Sequence, residues 1–184
     1  MLVLSMAGLA SANPALAEDT KTVTIFEGRQ FSVPVPKGWS YEEGEDPHLG
    51  APTLKLEDPK AEILLQMTFI PDRAGKLSSR EAIETEAKRI LQPMVETSVE
   101  KEIRLTPFDS PDGTGAYATF TDAKLDPKHI PEDEKLIAVS GLRAWKGGYT
   151  LFTLLTNSRD SRAYRAALDI AISGVRQVKA PVSF

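Results

Sequence analysis

The side chains with the greatest chemical potential gather in two acidic stretches. Glu42, Glu43, Glu45 and Asp46, followed by His48, offer carboxylate oxygens and one imidazole, a donor set that could hold a divalent cation. His129 repeats the combination with Asp126, Glu132, Asp133 and Glu134, and two such loops could converge in space. The spacing matches no EF-hand, and a solvated charged loop explains the same residues. The sequence therefore predicts no metal site, with Glu42, Glu43, Glu45, Asp46 and His48 as the candidates should one exist. Serine and histidine are both present, but no Gly-x-Ser-x-Gly elbow frames a nucleophile. A hydrolytic pocket built on His48 or His129 is the enzymatic alternative. Gly113-Thr-Gly115 resembles a fragment of a phosphate loop, lacks the Gly-Lys-Ser/Thr that would complete it, and reads as a turn. No catalytic residue, no cofactor-binding residue and no cofactor is predicted.

The elements that must position these residues follow from periodicity. Phe31, Val33 and Val35 alternate with Ser32, Pro34 and Pro36, a strand with one apolar face. Prolines on its other face suggest an edge strand or a strand end, with Pro34 and Pro36 near solvent or a loop. Lys37-Gly38 turns the chain, and Trp39 and Tyr41 follow as anchors. Thr22–Glu27 forms a hairpin with the Phe31 strand, and 42–50 reads as an acidic loop. Further strands are expected at 53–57, at 62–70 with Ile63, Leu65, Met67 and Phe69 on one face, at 99–106 and at 115–122. Two strands at 136–146 and 149–156 flank Gly147-Gly148, a tight-hairpin signal, and both read as apolar on both faces.

A capping box at Ser78–Glu81 opens a helix striped by Ile83, Ala87, Ile90, Leu91 and Met94, which Pro93 should end or kink. Asn157 or Ser158 should cap a second helix, striped by Tyr164, Ala167, Leu168, Ala171 and Val175, with Gly174 near its end. Its Arg159, Arg162 and Arg165 form either a basic stripe for an anionic partner or a solvated face. Trp145 is expected in the core and Trp39 at the sheet edge. The expected fold is α+β, an antiparallel sheet sandwiched by two main helices.

Of 184 residues, 41% are hydrophobic and 26% charged, with a formal net charge of -4 and no cysteine. That composition fits one globular domain and carries no basic, aromatic-interleaved nucleic-acid footprint. The missing cysteine excludes disulfides, thiolate catalysis, sulfur-ligated metal and lipidation at an N-terminal Cys. Residues 1–17 are apolar, uncharged and end Ala15-Leu16-Ala17 before Glu18-Asp19, the pattern of a signal peptide without its positive n-region. The run is too short for a spanning helix. Cleavage after Ala17 would leave a single globular domain over 18–184.

Strand hairpin, "FSVPVPKGW", loop, hairpin, central helix, second strand set and final helix together resemble the PsbP-like group, with its DcrB-like bacterial relatives. Phe31, Val33, Pro36, Gly38 and Trp39 carry the likeness, with the Gly147-Gly148 hairpin and the final helix. The resemblance implies a PsbP-like α/β/α sandwich and a non-enzymatic role outside the cytoplasm. No family-wide catalytic set exists to carry over. The expectation is an exported periplasmic binding or assembly accessory protein, whose partner is an envelope protein or a small ligand. Neither nucleic acid nor a transmembrane anchor in the mature chain is expected.

Overall fold

The computed structural model describes residues 18–178. The leader and its cleavage point at Ala17 lie outside the described residues. β1 (Glu18–Thr24) and β2 (Gln30–Pro36) form an antiparallel hairpin around a 3-10 turn at Phe26–Gly28. β3 (Ser40–Asp46), β4 (Ala51–Asp58) and β5 (Ile63–Pro71) form a meander, after which the chain enters α1 (Arg80–Val95). β6 (Thr106–Ser110), β7 (Gly113–Thr121), β8 (Ile137–Trp145) and β9 (Gly148–Thr156) follow, each antiparallel to the next. α2 (Arg162–Asp169) runs into a π-helical turn (Ile170–Gly174) and a short β10 (Arg176–Gln177).

The expected α+β sandwich of one sheet between two helices is overturned. Ten strands among the described residues form two antiparallel sheets, ordered β1-β2-β10 and β3-β4-β5-β9-β8-β7-β6. Strands hold 46% of these residues against 20% in helices, so the fold is mostly β. The second sheet makes the difference. Phe31, Val33 and Val35 of β2 face the same core as Leu54, Leu56, Leu65, Met67, Phe152 and Leu154 of the larger sheet, together with Ala167 and Ile170. One face of the seven-stranded sheet is thus covered by a small sheet with α2 beside it. On the opposite face α1 lays Ile83 and Ala87 on Ala116, Leu142 and Ala144, and Leu91 on Ala118 and Phe120.

Several local expectations shift for identifiable reasons. The acidic stretch 42–46 is strand β3, at the outer edge of the large sheet, where charged side chains blunt pairing with other chains. β2 lies between β1 and β10 and so is not an edge strand, but its prolines fall toward the strand end, the other placement expected. Its prolines are tolerated because β10 reaches only Phe31 and Ser32, leaving Val33–Pro36 without a neighbour on that side. Pro36 is buried, contrary to expectation, and Pro34 is half-buried beside Gly174. Ser79, not Ser78, caps α1 by accepting from the Ala82 amide at 3.1 Å, and Pro93 is housed within the helix. Ser161 caps α2 in place of Asn157 or Ser158. The segment 99–105 is irregular, and the strand begins at Thr106. The tight turn is Lys146-Gly147, where Gly147 takes φ 92°. Trp145 is core as expected, edge-on to Phe31 at 4.9 Å and donating to Thr150 Oγ1 at 3.1 Å. β8 is not apolar on both faces: Arg143 sits in it with 1% exposure.

Candidate functional site

Strand geometry scatters the first set of candidate ligands. Successive side chains of β3 leave on opposite faces, which separates Glu42 from Glu43 and Glu45 from Asp46. Glu43 accepts from the Tyr41 hydroxyl at 2.7 Å, and burial, reinforced by Glu43, pushes the Tyr41 phenol up. Asp46 accepts from the His48 and Leu49 amides, each at 2.9 Å, so it closes the turn into β4. His48 itself is exposed. His129 stands on a loop with its side chain 83% exposed and its Nδ1 3.1 Å from Asp126. No group of three or more metal-ligating side chains converges among the described residues. Gly113-Thr-Gly115 opens strand β7 rather than forming a turn.

The second acidic stretch has a different surrounding. Glu132, Asp133, Glu134 and Lys135 overhang a cleft of about 630 Å³ at the C-terminal end of α1. α1 covers β7 and β8 but ends at Val95, short of one end of the sheet. There the sheet face exposes a half-buried apolar row, Leu64, Leu155 and Ala138, which are register neighbours on β5, β9 and β8. Met94 from the last turn of α1 and the ring of Phe120 complete the floor. Period-2 alternation predicted that Leu64 leaves the face of Ile63 and Leu65. Pro93 marks the end of α1 to within a few residues of Val95, but the pattern does not show that this end falls short of the sheet.

The rim is held by side chains. Asn157 accepts from the Leu136 amide at 2.9 Å through its Oδ1, and its amide nitrogen donates to Glu62. Lys135 donates to the carbonyls of Glu132 and Glu134 at 3.3 and 3.2 Å and lies 4.0 Å from Glu62. Asp122 is fixed from behind: its amide bonds the Leu136 carbonyl at 2.8 Å and its carboxylate accepts from the Lys124 amide at 2.7 Å. Glu57, Glu62, Asp122, Glu132, Asp133 and Glu134 thus ring the opening against the single cation Lys135. A recess lined mainly by one sign of charge concentrates ligands of the opposite sign. Neither His48 nor His129 lines it.

Behind the cleft, Glu100 accepts from the amide and the hydroxyl of Thr121, both at 2.8 Å. Burial alone would raise its pKa. The two Thr121 hydrogen bonds, with the Glu100 backbone amide and the charge of Arg159, together outweigh that and hold the carboxyl below the usual glutamate range. A carboxyl depressed on folding stabilises the fold above its unfolded pKa of about 4.3, and that contribution is lost as pH falls through the folded value. Glu100→Gln is therefore expected to lower stability by about 1 kcal/mol at neutral pH, partial exposure limiting the effect. Its stability should then fall less steeply below pH ~4 than the parent's, as urea midpoints measured across pH would reveal.

No protein-family model matches the chain, and no curated protein matches it. Among the described residues, no helix is long and apolar enough to cross a membrane. Arg159, Arg162 and Arg165 lie in and before α2, and the stripe of that helix packs on the core through Ala163, Tyr164, Ala167 and Leu168.

Proposed function

We propose that this protein is exported to the periplasm and acts there by binding, as a non-enzymatic binding or assembly accessory protein, and that the cleft at the end of α1 is its contact site. The apolar, cysteine-free leader pattern and the PsbP-like resemblance support export and a binding role. The observation that carries the site is the cleft itself. Its volume falls within the range of roughly 300–1,000 Å³ common to small-ligand sites, and it combines an apolar floor with a few fixed polar groups. Leu64, Ala138, Leu155 and Met94 suit an apolar body, and the ring of carboxylates suits a basic end. The favoured ligand is therefore a molecule or protein segment with an apolar portion and a cationic group.

Two measurements test this reading. N-terminal sequencing of protein from the periplasmic fraction is expected to begin Glu18-Asp19-Thr20, and a retained leader in the membrane fraction would contradict export. Octylammonium chloride is expected to bind by calorimetry, more tightly than octanol and much more tightly than octanoate. Leu155→Lys, which puts a cation on the floor, should weaken octylammonium binding at least about tenfold, or about 1.4 kcal/mol. Equal binding of the three probes would remove the charge argument. Turnover of an ester, phosphate, glycoside or peptide substrate that vanishes in His48→Ala or His129→Ala would replace the binding reading with the hydrolytic one.

A further inference from the structure

Arg143 has no hydrogen-bond partner for any of its guanidinium nitrogens among the described residues, although only 1% of the residue is exposed. Arginine is a fork of five donors, and burying it unpaired is among the most unfavourable placements a chain can make. Burial draws its pKa down to about 10, with Asp112 the one charge that opposes the shift, so it remains a cation at neutral pH.

Its setting is a row across the inner face of the large sheet: Phe108 on β6, Gly115 on β7, Arg143 on β8, Thr150 on β9 and Phe69 on β5. On one flank two glycines allow close approach instead of leaving a cavity. A Cβ on Gly113 would stand 2.1 Å from the Ala144 carbonyl oxygen and 3.4 Å from Arg143 Cγ, and one on Gly115 would collide with the Leu142 carbonyl oxygen and the Phe108 ring, each at 2.3 Å. Phe108 therefore leans over the position beside the arginine. On the other flank stands Thr150, whose buried hydroxyl accepts from Trp145 Nε1 and retains its own proton as a donor. Cross-strand partners hold their side chains about 5 Å apart. An arginine fork and a hydroxyl thus share one side of a mostly apolar interlayer, and among the described residues no acceptor, Asp112 included, hydrogen-bonds the fork.

We propose that Arg143 is the anchor of a second binding site, between the two sheets, for the carboxylate of a small molecule with an apolar body. The bidentate fork fits the two oxygens of a carboxylate, Thr150 can donate a further hydrogen bond, and Phe108 supplies an apolar wall. Entry is by displacement of β6, the five-residue edge strand that carries Phe108 at the end of the sheet. This site is separate from the acidic cleft and takes ligands of opposite charge.

Sodium benzoate and sodium octanoate are the probes, with benzyl alcohol, octanol and sodium phosphate as controls, applied to the mature protein. A carboxylate at about 100 times its dissociation constant is expected to raise the thermal midpoint by roughly 5 °C or more. It should also move the Arg143 Nε–H resonance in the wild-type spectrum. Arg143→Met should fold with equal or greater stability and lose the response. Arg143→Lys, which keeps the charge and loses the fork, should weaken binding at least about tenfold. Absence of a wild-type response to both carboxylates overturns the proposal. So does an equal response to the alcohols or to phosphate, or a response that survives in Arg143→Met. If Arg143→Met fails to fold, the wild-type Arg143 resonance decides alone: an unmoved signal at saturating carboxylate overturns the site.

Discussion

Val33→Asp is expected to abolish the folded state or bring it to the edge of unfolding. Val33 lies at the middle of β2 with no exposure and belongs to the core that joins the two sheets. An aspartate there must either keep an unpaired charge away from water or bind a proton to avoid it, and both are unfavourable. The expected loss is about 4 kcal/mol or more, against a total stability of about 5–15 kcal/mol for an ordinary domain. The next residue provides the control. Pro34 is half-buried, has no strand neighbour on the β10 side, and Pro34→Ser should lose about 1 kcal/mol. Urea denaturation followed by circular dichroism separates the two. Equal midpoints would mean that the faces of β2 are assigned the wrong way round.

Gly141→Ala is expected to be nearly as damaging, by overpacking rather than by charge. A Cβ at Gly141 would stand 2.4 Å from the Ala116 carbonyl oxygen and 2.7 Å from Tyr117 Cα. Both are backbone atoms of the paired strand β7, so relief requires β7 and β8 to separate and their ladder to weaken. About 3 kcal/mol is expected, or a midpoint lower by roughly 6–12 °C for a domain of this size. Gly44→Ala is the matching control on exposed β3, where an added Cβ meets nothing within 4 Å. It should change stability by no more than about 0.5 kcal/mol. Comparable losses from the two would contradict the tight β7–β8 approach.

The parts of the fold legible in the sequence are those where one face is buried and the other is not. Ile63, Leu65, Met67 and Phe69 alternate because β5 turns them all into the core, and Ile83, Ala87 and Leu91 recur at helical spacing because α1 has one covered stripe. The acidic β3 escaped because an edge strand with little buried surface has no hydrophobic period, and Glu, Asp and Gly are poor strand formers. The β1–β2 hairpin is legible, but β10 is only two residues long and nothing in the pattern separates that hairpin from the large sheet, so α2 is left as the whole of the second layer.

The same limit governs the sites. Glu132 to Lys135 were recognisable as a charged loop, whereas the apolar floor beneath them is assembled from β5, β8, β9 and the last turn of α1. The acidic residues of β3 looked similar in sequence, yet alternation sends their carboxylates to opposite faces. Arg143 was hidden by its apolar neighbours Leu142, Ala144 and Trp145. Only the three-dimensional register shows that its own row offers a glycine and a threonine in place of an acid.

The claim that the cleft at the end of α1 is the contact site is tested most directly by locating the ligand. Protein labelled at its methyl groups is titrated with octylammonium, and intermolecular nuclear Overhauser contacts are recorded. The alkyl chain is expected to contact the methyls of Leu64, Leu155, Met94 and Ala138, with backbone shifts at Glu132–Leu136 and none at Glu42–His48. Contacts confined to β3, to the separate groove beside α1 lined by Glu81, Glu86, Arg89 and Tyr149, or to no methyl of the floor would contradict it.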